Sequence, residues 1–465
     1  MRADDTDFAT DTIAAISTAS GEGGIGIIRL SGVSAIPIAL SLFHRANGAG
    51  LDAPRSHRQY YGEIRHPLTG ERLDEVLLCA MRAPRSYTRE DVVEISGHGG
   101  AMALRAILAV VTRSGARLAL PGEFTQRAFL NGRIDLTQAE AVLDTIRARS
   151  DAGLRAAQRH LHGEIGAQVG ALRQRLISLL SSLEAAIDFA EDGLCLLRPE
   201  EIEVELIGIR AEVAALVASH TRGRLLREGA QTVIIGRPNT GKSSLLNALL
   251  GEARAIVTEI PGTTRDSIEE QIELAGIPLR LRDTAGIRPT DDPVEKLGVA
   301  RSRDALAQAD LLLLVLDRSV PLTDDDEALL GILGGRAAVV LLNKSDLPPA
   351  FSEEDLRARL PAPVLEISSR FGAGLAELTT TIRDMLLGGE VNSESPTLAN
   401  ARQLEAAQRA EHSVEEALRT LASEGSEELL AVDLMATATA LGEITGDEIR
   451  EEVIQDIFAR FCVGK

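Results

Sequence analysis

The chain has 465 residues, 45% of them apolar, which is more than one core usually supports, so two or three folded domains are expected. Its formal charge of −20 excludes a general nucleic-acid coat, because an acidic field repels polyanions, and any contact with nucleic acid has to be local or shared with a partner. No apolar run approaches the roughly 18 residues of a membrane span and residues 1–8 lack the layout of a signal peptide, so a cytoplasmic protein with no membrane association is expected.

From residue 12 to about 122, short apolar runs alternate with glycine clusters, as in AAISTASGEGGIGIIRLSG, VLLCAMRAP and DVVEISGHGG. This pattern predicts a compact α+β domain. From about 137 to 227 breakers are sparse, and Leu172, Leu176, Leu179, Leu180, Leu183 and Ile187 fall on one helical face, as bundle helices require. Next, TVIIG, LRLRDTAG, LLLLVLD, AAVVLLNKSD and PVLEISS read as strands separated by crossover helices, a mostly parallel α/β domain. After the polar stretch GGEVNSESPT the helical pattern returns. A capping box, Thr445 to Glu448, is expected to open a helix carrying Ile449, Val453, Ile454, Ile457, Phe458 and Phe461 on one face. The expected division is 1–130, 131–228, 229–388 and 389–465. The second and fourth segments are read as one helical bundle with the third inserted into it.

The third segment carries the chemistry. Residues 236–243 read GRPNTGKS between a strand and an apolar helix, the context of a phosphate-binding loop. The glycines let backbone N–H groups converge on phosphates, Lys242 bridges the β- and γ-phosphates, and Ser243 offers magnesium a hydroxyl. Lys242 is one of only four lysines beside 45 arginines, which marks a place where a compact ammonium is needed. Downstream, Asn343, Lys344, Ser345 and Asp346 follow a strand. The Asp346 carboxylate can accept from guanine N1–H and the exocyclic amine, a donor pair adenine lacks, while the Lys344 stem lies against the ring. Ser368, Ser369 and Arg370 offer backbone N–H groups to guanine O6. Asp283, Thr284, Ala285 and Gly286 supply a carboxylate for the magnesium shell and an N–H for the γ-phosphate. Thr264 in TEIPGTTRD is the second magnesium hydroxyl. These elements in this order predict a GTP-binding, GTP-hydrolysing domain of Ras-like type. Ile287 stands where Ras-like relatives place a water-orienting glutamine, so catalysis has to come from elsewhere, with Asp291, Asp292 and Glu295 as candidates.

GRPNTGKSSLLNALL, IPGTTRD, DTAGIR, VEKLG and NKSD, flanked by helices and ending in FCVGK, together resemble one family, the tRNA modification GTPases known as MnmE or TrmE. The likeness also takes in GEGGIGIIRLSG, EDVVEISGHGG and PGEFTQRAFLNGRIDLTQAEAV. It implies a potassium ion held by Asn239, Thr258, Ile260 and Thr263, which would neutralise charge between the β- and γ-phosphates. It places the catalytic glutamate on Glu295, and with it counts Lys242 as catalytic. The GTP-binding set it implies is Asn239, Thr240, Gly241, Lys242, Ser243 and Ser244, then Thr258, Glu259, Ile260, Pro261, Gly262, Thr263 and Thr264, with the Asp283, Asn343 and Ser368 elements named above. It implies a homodimer whose N-terminal domain binds 5,10-methylenetetrahydrofolate or 5-formyltetrahydrofolate through Arg29, Glu94, Arg133 and Lys465. A flavin-dependent partner would join it in a heterotetramer or larger complex acting on tRNA. Arg133 departs from the family's common lysine, and FCVGK from FCIGK by one methylene. Cys462 is either a reactive thiol near the folate or a packing residue. Cys79 and Cys195 are read as packing. The phosphate cassette alone also allows a regulatory or ribosome-assembly GTPase without covalent RNA chemistry.

Overall fold

A computed structural model describes residues 11–19, 21–47, 49–188, 198–252, 254–255, 269–283, 306–388, 395–423 and 425–465. It divides into two compact units, one of Met1–Leu143, Gly166–Arg173 and Thr439–Lys465, the other of Asp144–Ile165 and Gln174–Ala438.

In the first unit, β1 (Thr12–Ile16), β2 (Gly23–Gly32), β3 (Phe43–Arg45), β4 (Arg58–Arg65), β5 (Arg72–Met81), β6 (Val92–Gly99) and β7 (Arg117–Leu118) form one sheet. Its order is β3-β4-β5-β6-β2-β1-β7, antiparallel except for the β1–β7 pair. The period-2 pattern of β5 decides its faces. Val76, Leu78 and Ala80 are buried, while Leu77 is exposed and Cys79 half-buried. The buried set joins Ile28, Leu30, Ile95, Ile107 and Val111 under helices α1 (Ala35–Leu42) and α2 (Ala101–Arg113), each such side chain stabilising by roughly 2 kcal/mol. Beyond α3 (Glu123–Leu130) and α4 (Leu136–Arg147), Leu136, Ala139 and Leu143 pack with Ile454, Phe458 and Phe461.

The expected helix start at Thr445 is not one. Thr445 ends the helix Glu427–Thr445, its hydroxyl donates back to Gly442 O, and Gly446 at φ 93° closes the turn. The next helix is Glu451–Ala459, with Arg450 at its N-cap. Hydroxyl capping and back-bonding use the same residue type, and here the left-handed glycine one residue later favours the stop.

The second unit holds α5 (Asp151–Leu161), most of α6 (Glu164–Asp188) and α7 (Pro199–Glu228). The expected apolar face of α6 is buried at Leu172, Leu176, Leu179, Leu180 and Leu183 and half-buried at Ile187. Helix α7 packs along Ala401–Ala422. After α7 come β8 (Ala230–Ile235), α8 (Lys242–Glu252), β9 (Arg254–Ala255), β10 (Glu269–Leu274), β11 (Ile277–Asp283), β12 (Leu311–Asp317), β13 (Ala338–Asn343) and β14 (Val364–Glu366). The sheet order is β14-β13-β12-β8-β11-β10-β9, parallel from β14 to β11 and antiparallel beyond. The run LLLLVLD of β12 is buried on both faces. Leu311, Leu313 and Val315 enter one core, and Leu312, Leu314 and Leu316 the other. Strand β10 lay outside the sequence reading, and the turn that joins it to β11 is made by Ala275 and Gly276 at φ 52° and 84°.

Candidate functional site

The nucleotide-site candidates sit where parallel strands end, the place α/β sheets offer to ligands. Strand β8 ends at Ile235 and α8 begins at Lys242, so residues 236–241 have to turn within a few ångströms. The backbone is left-handed at Asn239 (φ 65°) and Gly241 (φ 99°). A Cβ on Gly241 would lie 2.1 Å from Asn343 Nδ2, so only glycine fits. Lys242 Nζ donates to the carbonyls of Gly236 (2.9 Å) and Arg237 (2.8 Å), which folds the ammonium over its own loop. Thr240, nearly fully buried, donates to Arg237 O.

Asn343, at the end of β13, ties the elements together. Its Nδ2 donates to Thr240 O (2.8 Å), and its Oδ1 accepts from the Ser369 N–H (3.0 Å) and hydroxyl (2.9 Å). Asp346 Oδ1 accepts from Ser368 Oγ (2.7 Å), and Ser345 N donates to Ile367 O. Lys344 stands at φ 63° and pairs with Asp317 at the end of β12. Burial pushes the Asp317 carboxyl up, but Lys344 and the Ser319 hydroxyl and N–H outweigh it and hold the carboxyl below its ordinary value.

A cavity of about 590 Å³, lined among others by Gly241, Ser244, Lys344, Asp346, Ser369 and Arg370, joins the phosphate loop to the two base-reading loops. That volume falls in the ordinary range for small-molecule sites. Asn247 and Leu347 also line it. Neither stood out in the sequence, although Asn247 lies one helical turn after Ser243 and on the cavity side of α8. Ser243 is exposed in the first turn of α8, and Asp283 pairs with Ile234 of β8 at the end of β11. Hydroxyl, carboxylate and amide oxygens are the donors that hard cations take, so the residue set fits magnesium and a monovalent ion. Thr258, Glu259, Ile260, Pro261, Gly262, Thr263, Thr264, Thr284, Ala285, Gly286, Ile287, Asp291, Asp292 and Glu295 lie outside the described residues.

In the first unit the four expected folate residues converge. Arg29 of β2 and Glu94 of β6 are register partners, and Arg29 donates to Glu94 Oε1 from Nε (3.0 Å) and Nη2 (2.8 Å). The Arg29 guanidinium lies 5.4 Å from the Tyr87 ring centroid and 5.7 Å from that of Phe124. Arg133 lies 4.9 Å from Tyr87. The tail reaches the same place, where Gly464 O accepts from Ser17 Oγ (3.0 Å) and Arg29 Nη1 (3.4 Å), and Val463 bridges to Pro121. Burial, then the Arg29 charge, pushes the Lys465 ammonium below its ordinary value against the opposing pull of Glu94 and Cys462. A carboxylate, three cations and an aromatic platform suit a flat, donor-rich ring with an anionic tail. The fit to a pterin is chemical.

Cys462 is exposed, and its carbonyl accepts from the Gly122 and Lys465 N–H groups. Cys79, read as packing, stands on the open face of β5 as register partner of Glu94. Burial, with help from Glu94, pushes its thiol up, which makes it a poor nucleophile. Cys195 lies outside the described residues. Tyr87 and Phe124 were missed in the sequence because the sheet and the α3 fold, not spacing along the chain, bring them to Arg29.

A family model described as "GTP-binding protein TrmE N-terminus" matches residues 12–133, and one described as "MnmE helical domain" matches residues 136–462. The tRNA modification GTPase MnmE of Heliobacterium modesticaldum is 48% identical over 463 residues, 98% of this chain and 99% of that protein. Its namesake from Symbiobacterium thermophilum is 49% identical over 457 residues, 98% of this chain and 99% of that one. Among solved structures, the G domain of the T. maritima FeoB iron transporter is 29% identical, at TM-score 0.27, over 33% of this chain and 96% of that one. Among the described residues no helix is long and apolar enough to cross a membrane.

Proposed function

The chain belongs to the MnmE family of tRNA modification GTPases, and from that premise we propose that it modifies C5 of the wobble uridine of certain tRNAs. In this reading a flavin-dependent partner joins it, and together they install an aminomethyl or carboxymethylaminomethyl group with a tetrahydrofolate as one-carbon donor. The observation that carries the reading is the convergence of Arg29, Glu94, Arg133 and Lys465 on Tyr87, in a unit separate from the nucleotide loop. A GTPase acting only as a regulator has no use for such a second site.

Each unit has its task. In the nucleotide unit, Asp346 reads guanine, the phosphate loop and Lys242 hold the β- and γ-phosphates, and Ser243, Thr264 and Asp283 hold magnesium. Asn239, Thr258, Ile260 and Thr263 hold potassium, and Glu295 positions the attacking water. Bound potassium supplies positive charge where negative charge develops. In the other unit, Glu94 orients the pterin edge, Tyr87 supports its face, and Arg29, Arg133 and Lys465 meet the anionic tail. Homodimerisation, cytoplasmic location and the division at 130, 228 and 388 belong to the same proposal.

The test is reconstitution with the flavin-dependent partner, unmodified tRNA, GTP and a tetrahydrofolate, read by mass spectrometry of the nucleosides. Modified uridine is expected in potassium. It should fall at least tenfold in sodium, with Glu295→Ala, or without folate, as removal of a charge-stabilising or water-positioning group does. Full GTPase activity with unmodified uridine in every arm would instead favour a regulatory or assembly GTPase. Equal rates in sodium and potassium would remove the cation assignment.

A further inference from the structure

The chain is strongly acidic, and most of its arginines that lie near a carboxylate use it. Arg65, Arg72, Arg117, Arg127, Arg175, Arg224 and Arg237 are all ion-paired. One rim of the first sheet departs from this habit. Arg45, Arg55, Arg58, Arg82 and Arg85 are all exposed, and among the described residues none of them has a carboxylate partner.

Local hydrogen bonds hold these five together. Arg58 of β4 is the register partner of Ala80 of β5, and the pairing continues outward through His57 N to Ala80 O (2.8 Å). The Arg82 N–H donates to Ser56 Oγ (3.0 Å), which locks the loop after β5 to the loop before β4, and Arg85 N donates to Arg82 O (3.0 Å). The Arg55 N–H donates to Tyr60 Oη (2.8 Å), and the Arg45 guanidinium lies 6.0 Å from the Tyr60 ring centroid. Asp91 accepts from the Ala83 N–H (2.9 Å). Asp52 is exposed in the same loop as Arg55.

Five exposed guanidiniums stand on pinned backbone with no ion-pair partner among the described residues. A ligand with several spaced anions would supply the missing counter-charge. Guanidiniums grip phosphates bidentately, and phosphate contacts fix a polynucleotide's position without reading its sequence. We propose that this rim, from Arg55 and Arg58 to Arg82 and Arg85, is a binding site for the phosphodiester backbone of the tRNA. The inference rests on the proposed function for the identity of the RNA. The loop that starts with Arg82 and Arg85 continues to Tyr87, whose ring lies under Arg29 and Arg133. RNA held on the rim is therefore held beside the candidate pterin platform.

The experiment measures binding of an unmodified tRNA transcript to the full-length protein between 50 and 300 mM salt, for the wild type, Arg82→Glu/Arg85→Glu and Arg82→Lys/Arg85→Lys. The glutamate pair is expected to weaken binding roughly tenfold or more and to lower the slope of log affinity against log salt by about 2. The lysine pair should keep most of the slope. GTP hydrolysis without tRNA should be the same for all three, since both positions lie outside the nucleotide unit. Wild-type binding with an unchanged affinity and slope in the glutamate pair overturns the patch. Loss of the flavin-dependent partner with tRNA binding intact overturns it in favour of an acidic protein surface. A wild type that binds no tRNA at any salt removes the proposed function instead.

Discussion

Asn343 joins both sides of the nucleotide site. The sequence marks it as the first residue of NKSD, and the residue-level reading rested on its neighbour Asp346 for guanine. The structure adds that its amide spans from Thr240 of the phosphate loop to Ser369 of the second base-reading loop. Asn343→Ala leaves a buried carbonyl and an N–H unpaired, at about 1–3 kcal/mol. Calorimetry should show GTP affinity falling by roughly tenfold or more, and the expectation fails if the affinity is kept. The identity of the loop residues was legible because phosphate and guanine chemistry demand fixed residue types at fixed spacing. The cluster proposed to hold the pterin was legible only through family likeness. Glu94, Arg29 and Cys79 become one row through the register of β5, β6 and β2, and register between distant strands leaves no mark on local spacing.

Among the elements, the parallel strands were the easiest to read, since a strand buried on both faces has to be apolar throughout, as β12 is. The strand β10 was missed because four of the six residues of EEQIEL are polar or charged, with only Ile272 and Leu274 apolar, which reads as polar loop. Gly223 sets two rules against each other. In the penultimate turn of α7, Ala would be favoured over Gly by about 0.8–1 kcal/mol on helix propensity. Its Cβ would, however, meet the Leu398 carbonyl at 2.1 Å, with backbone on both sides, and overpacking of that kind costs about 1–3 kcal/mol. Packing wins, so Gly223→Ala should lower the melting temperature of the full chain. A rise in melting temperature would show that the backbone at Leu398 yields freely.

The first unit carries a pH-sensitive network of its own. The first contains a closed network in which Glu123, fully buried, accepts from Arg117 (2.7 Å) and Arg127 (2.9 Å), and Asp11 accepts from the same two arginines. Burial pushes both carboxyls up, but the guanidiniums outweigh it and hold both below their ordinary values of 4.5 for Glu123 and 3.8 for Asp11. A depressed carboxylate stabilises the fold above its unfolded value and loses that contribution as pH falls through the folded one. The first unit should therefore destabilise below about pH 4.5. Glu123→Gln, which removes the charge at every pH, should flatten that limb of a pH–melting curve. An unchanged acid limb would place the dependence elsewhere.

The tail on the first sheet also bears on synthesis. Gly464 accepts from Ser17, 447 positions earlier in the chain. A Cβ at Gly464 would lie 2.4 Å from Ile16 O, so the seat is shaped for this one residue. At roughly 5–20 residues per second, the ribosome delivers that last stretch about 20 to 90 seconds after β1 has emerged. During that interval the nucleotide unit can be complete while the Arg29 cluster still lacks its final lysine. The nucleotide unit can thus fold before the Arg29 cluster is whole, so in synthesis the two candidate sites form one after the other.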